Sequence, residues 1–89
     1  MNDELNGDAV DAAVAATQSQ IVNRFFSRCE EVWHHGKLAG VPVTVRKRDI
    51  EKMITDDVVG RLTGPPMIDS MYILASTGAA EEICNRLDK

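Results

Sequence analysis

Asp8–His35 reads DAVDAAVAATQSQIVNRFFSRCEEVWHH, a stretch without one glycine or proline. Its alanine-rich first half favours helix by propensity, and its second half gathers Ile21, Val22, Phe25, Phe26, Cys29, Val32 and Trp33 at the three- and four-residue spacings of a helical face. Both phenylalanines and the only tryptophan fall within nine positions, so the contact made by this face dominates the energetics of the molecule. Phe25 and Phe26 project about 100° apart, as do Val32 and Trp33, so the apolar arc is wider than one neighbouring helix covers. The reading that follows is a partner-binding surface formed by these seven residues, with a homodimer through the first helix and a further protein as the expected partners.

Two descriptions of this region compete. In one, a single helix runs from Asp8 to His35 and spans about 42 Å at ~1.5 Å per residue. In the other, Thr17-Gln18-Ser19-Gln20 forms a capping box and the helix proper starts there. The single long helix is preferred. Residues 1–7, with Asn2, Asn6 and Gly7, read as a frayed, flexible start before one helical domain over 8–89. Gly36 is expected to end the helix, with the histidines and Lys37 suiting its negative end.

Residues 36–43 form a connector broken by Gly36, Gly40 and Pro42. Val41, Val43 and Val45 alternate as in a strand, yet no second strand is found to pair with it. Ile50, Met53, Ile54, Val58 and Leu62 then recur with helical spacing, predicting a second helix that starts near Thr44 or Asp49. Thr63-Gly64-Pro65-Pro66 stops it and opens a third, since proline suits the first helical position. Met67, Ile68, Met71, Tyr72, Ile73 and Leu74 leave little polar surface, which predicts the most buried segment of the fold. Ser76-Thr77-Gly78 is expected to interrupt, and Ala80, Ile83, Cys84 and Leu87 to face a fourth helix. The fold class is therefore all-α: a small bundle of about four helices with a long N-terminal helix.

The chain has 89 residues, 44% of them hydrophobic and 27% charged, which is one ordinary globular domain with a thin core. Nothing at the start resembles an export signal, and Cys29 and Cys84 read as buried reduced thiols, so a cytoplasmic location is expected. No apolar run approaches the ~20 residues of a bilayer span, so no membrane partner is expected. The net charge is −4, and its placement is informative: residues 1–16 hold Asp3, Glu4, Asp8 and Asp11 without a lysine or arginine. The rest of the chain is formally neutral and does not favour polyanions.

Arg46-Lys47-Arg48 is the exception, a basic patch able to reach phosphates. It supports an alternative reading as a dimeric DNA-binding transcriptional regulator. Against it, a recognition helix starting Pro66-Met67-Ile68-Asp69-Ser70 offers no arginine, lysine, asparagine or glutamine to base edges. Glu30, Glu31, His34 and His35 form the one cluster with metal-like composition, but two adjacent histidines diverge on a helix and suit ordinary i to i+4 pairs. No catalytic residue, metal or cofactor is expected. The function expected is a small intracellular regulatory or adaptor module, of the bacterial or phage kind, that acts by binding protein.

Overall fold

The structure is a computed structural model that describes residues 2–62 and 64–89, with side chains from residue 11 onward apart from Thr63. Three helices follow one another: α1 (Asn2–Leu38), α2 (Val43–Val59) and α3 (Pro66–Leu87). Among the described residues there is no strand, because the valines at 41, 43 and 45 lie at the entry to α2 and have no mate with which to pair.

The all-α class holds with three helices rather than four. Ser76 and Thr77 do not break α3, because their hydroxyls both donate back to the carbonyl of Ile73, at 2.8 and 3.0 Å. Inside a helix, this return bond satisfies a hydroxyl without opening the backbone ladder. Gly78 sits within α3 where the Gln18 side chain of α1 approaches too closely for a Cβ.

α1 also departs from the expected limits at both ends. It begins at Asn2. It passes through Gly36 and ends at Leu38. The left-handed turn falls instead on Gly40, at φ +78°, a conformation glycine takes without steric cost. Pro42 then precedes α2, fixing the reversal.

Side-chain pairs give the direction of each helix. Arg24 meets Asp57 and Trp33 meets Arg46, so α2 runs back along α1. Gln18 bonds Glu82 and Phe26 lies under Arg86, so α3 runs parallel to α1. The result is an up-down-up bundle with short links. α2 has 17 residues against 37 in α1, and its end lies level with Ile21, Arg24 and Tyr72. Beyond that level α1 and α3 continue as a pair. The molecule is accordingly a rod of 52 × 27 × 19 Å with a radius of gyration of 14.7 Å, where a compact chain of this length has ~12 Å.

The core joins Ile21, Val22, Phe25, Cys29 and Trp33 of α1 to Ile50, Ile54 and Val58 of α2 and to Ala75, Ala79, Ala80, Ile83 and Cys84 of α3. Large side chains on α1 thus meet mostly small ones on α3. Small residues let two helix axes come close, so that backbone as well as side chain covers the facing aromatics. Among the described residues every buried side-chain nitrogen and oxygen has a hydrogen-bond partner. No described helix is long and apolar enough to cross a membrane.

Candidate protein-interaction face

The seven residues of the α1 arc are placed very differently from a surface. Ile21, Val22, Phe25, Cys29 and Trp33 are buried within the single chain, Trp33 at 2% exposure and Phe25 at 3%. Phe26 is half-buried against the core, with the Arg86 guanidinium 5.9 Å from its ring centre. Val32 alone stands partly in solvent, at 37%. The arc is as wide as the sequence implies, but α2 and α3 cover it from two sides, and these five side chains present no face to a partner while the bundle is intact.

The basic triplet is divided in the same way. Arg46 is a buried residue whose guanidinium carbon lies 4.5 Å above the Trp33 ring. Its Nε–H donates to the carbonyl of Val41 at 3.0 Å, and its aliphatic stem crosses Gly36 where a Cβ would lie 2.9 Å from Cγ. Lys47 is half-buried and pairs with Asp88 at 3.5 Å. Arg48 stands in solvent. The expected basic patch at 46–48 is thus reduced to one exposed arginine, because helical geometry sends three consecutive side chains in three directions.

Leu38, Val45 and Val59 are also exposed, but the largest grouping of exposed apolar side chains lies at the start of α3. Met67 is 72% exposed and Leu74 61%, with Ile68 and Ile73 open on either flank. Pro66, Met67, Ser70, Met71 and Leu74 line one shallow depression. At 100° per residue these positions form a stripe on the side of α3 opposite the buried Ala79 and Ile83. Farther along the same stripe stand Thr77, Glu81 and Asn85, all exposed and polar. The apolar part is confined to the portion of α3 beyond the end of α2. Sequence reasoning placed Met67–Leu74 deepest in the fold, and the structure leaves its outer side open: an apolar helix is buried only where something covers it, and the core lies on the opposite side of α3.

The link before this face is fixed rather than loose in its bonding. The Gly64 N–H donates to the Asp69 carboxylate at 3.2 Å, and Gly64 takes φ +107°, a value open to glycine. Pro65 and Pro66 then lead into the helix with no N–H to satisfy. Together these orient the first turn of α3 and its Met67.

Three other groupings do less. Thr17, Gln20, Ile21, Arg24, Asp57, Val58, Arg61 and Tyr72 surround a small cleft of about 90 Å³ at the end of α2. Its charges are already engaged, Asp57 accepting from Arg61 at 2.9 Å and facing Arg24 at 4.0 Å. Glu30, Glu31, His34, His35 and Leu38 line an open hollow on α1, and among the described residues no three potential ligands converge on a metal position. Cys29 and Cys84 are free and buried. Burial is the chief cause that pushes the Cys29 thiol up to about 11, with the neighbouring Cys84 adding and Arg28 opposing. Cys84 is raised as well, first by burial and then by Glu51, with Lys47 opposing. Thiols held protonated in this way are poor nucleophiles and poor metal ligands.

Compared with known proteins, this chain matches no family model, no curated protein and no solved structure.

Proposed function

We propose that this chain is a small protein-interaction module whose contact face is the outer side of α3 from Pro66 to Leu74, and that it regulates or bridges by occupying another protein's surface. The observation that carries the reading is the amount of surface left open. The accessible area is 6161 Å², whereas a compact monomer of 9.8 kDa has about 5200 Å² by surface scaling. Met67, Met71 and Leu74 give the outer side of α3 on the order of 300 Å² of exposed apolar surface, with Ile68 and Ile73 open on the two flanks, and the largest apolar patch of a soluble protein is often a contact site. Two methionines in the face add conformational adaptability to partners of differing shape. Nucleic-acid binding is the weaker reading, since Arg46 is buried on Trp33 and Lys47 is held by Asp88.

The reading is tested by placing a photo-crosslinking side chain at Leu74 of the full chain in its native cells, with the exposed Thr55 of α2 as control position. A discrete protein adduct at position 74, absent at 55 and lost on Met67→Lys, is the expected result. Equal labelling at both positions, or none at 74, overturns it.

A further inference from the structure

We infer that the cleft at the end of α2 is a binding site for a carboxylate, the side-chain end of an aspartate or glutamate on a bound peptide, held between Arg24 and Arg61. All three helices build it: Thr17, Gln20 and Arg24 come from α1, Asp57 from α2 with Arg61 just beyond its end, and Tyr72 from α3. The two guanidinium groups converge, since both approach the same oxygen, Asp57 Oδ2, Arg61 through Nε at 2.9 Å and Arg24 through Nη1 at 4.0 Å. No other charged side chain lines the cleft. Two permanent cations against one carboxylate leave one positive charge uncompensated.

Hydrogen-bonding capacity is as uneven as the charge. Arg61 spends only its Nε–H, and Arg24 stands beyond hydrogen-bond distance, so the terminal N–H groups of both remain open. Among the described residues, the Tyr72 and Thr17 hydroxyls and the Gln20 amide have no hydrogen-bond partner within the chain either. A guanidinium fork matches the two oxygens of a carboxylate. The cleft of about 90 Å³ admits the end of a side chain rather than a whole small molecule, whose sites occupy roughly 300–1,000 Å³. Charge selects the carboxylate over phosphate: a phosphate monoester carries about −1.5 to −2 near neutral pH and sets surplus negative charge beside Asp57, whereas one carboxylate closes the count. Arg24 is half-exposed and its pair with Asp57 is long, so it turns to an incoming anion at little cost. Tyr72 packs on the core, which makes this cleft distinct from the outer side of α3, and its test does not depend on that reading.

The test is a titration of the isotope-labelled full chain with acetylated, amidated glutamate, followed through the NMR signals of the arginine Nε–H groups in slightly acidic buffer, with the glutamine counterpart as uncharged control. Arg24 and Arg61 are expected to shift together and to saturate with a Kd on the order of 1–10 mM, the strength of a single charge-assisted fork. The solvent-exposed Arg48 should not follow them, and the glutamine counterpart should leave all three unmoved. Arg24→Gln is expected to weaken binding at least about tenfold and Tyr72→Phe roughly threefold. Asp57→Asn removes the competing internal carboxylate and is expected to tighten binding about tenfold, with helical circular dichroism unchanged in every variant. Shifts that grow linearly and equally at Arg24, Arg61 and Arg48 overturn the inference, as do a saturable response to the glutamine counterpart, binding that survives Arg24→Gln, and binding that Asp57→Asn fails to tighten. Inorganic phosphate that binds the wild type more tightly than the glutamate probe also overturns it, assigning the cleft to phosphate groups instead.

Discussion

The guanidinium of Arg46 lies 4.5 Å above the indole of Trp33, and this stacked pair closes the end of the bundle where α1 turns into α2. The arginine is nine-tenths covered, so its charge is balanced by the ring face and by the Val41 carbonyl, which accepts from Nε at 3.0 Å.

Removing this charge without removing its stem isolates the electrostatic share. Arg46→Met is expected to lower stability by about 2 kcal/mol, less than the ~3.5 kcal/mol that a desolvated cation–π contact and a hydrogen bond from a charged donor add up to, because an apolar Met is less costly to bury than a cation. Arg46→Lys should recover only part, since a point-like ammonium cannot stack flat on the ring. Urea titration followed by Trp33 fluorescence measures both.

Gly36 is tied to the same side chain. A Cβ there would sit 2.9 Å from Arg46 Cγ and 3.0 Å from Cδ, so Gly36→Ala must displace Arg46. Helix propensity alone favours alanine by ~1 kcal/mol. The expected outcome is a net loss of about 1 kcal/mol in the wild-type background and a gain of similar size in the Arg46→Ala background. A double-mutant cycle on denaturant midpoints reads this sign reversal, and additivity of the two changes would refute it.

Gly78→Ala is expected to do the opposite. The atom in the way is the terminal amide oxygen of Gln18, the far end of a flexible side chain that also donates to Glu82 at 3.4 Å. Gln18 can turn toward solvent at the loss of one long, half-exposed bond, while the middle of α3 gains alanine's propensity. Thermal unfolding should show stabilisation of roughly 0.5 kcal/mol.

The two thiols predict an alkaline limb. Burial raises Cys29 to about 11 and raises Cys84 in the same direction. A thiol whose folded value lies above its unfolded one keeps its full contribution below the unfolded value near 9. That contribution is lost as pH rises through the folded value. Stability should therefore fall between about pH 9 and 11, and Cys29→Ala should make this fall shallower relative to wild type. Denaturant midpoints measured at pH 8, 9.5 and 11 (roughly spanning the thiol range) check it.

Much of this fold was legible in the residues. The helical spacing of Ile50, Ile54 and Val58, the burial of both cysteines and the punctuation at Gly64-Pro65-Pro66 follow from local rules, and the structure agrees at each. All but one of the differences share a physical cause, which is that a local signal is answered from a distance; the exception is the hydroxyl pair at 76 and 77, answered within its own helix. Gly36 reads as a helix stop, but its missing side chain makes room for Arg46, ten positions later, while Gly40 takes the turn. Ser76-Thr77-Gly78 reads as a break until the hydroxyls are seen to bond Ile73. The aromatic arc of α1 reads as too broad for one chain to cover, and it is covered because Ala75, Ala79 and Ala80 let α3 lie close. Conversely, the apolar start of α3 reads as core, and its outer side is open because the helix turns only its opposite side to α1 and α2, an orientation that no single segment reveals.

The early stop of α2 also divides the rod into zones of unequal durability. Amide protons from Ile21 to Trp33 and from Ala75 to Cys84 sit where all three helices enclose the backbone, and their exchange for deuterium awaits global unfolding. Those from Met67 to Tyr72 are sheltered on one side only, and they exchange through partial openings of the pair. Added denaturant should speed the first group steeply and the second hardly at all, separating the two zones residue by residue.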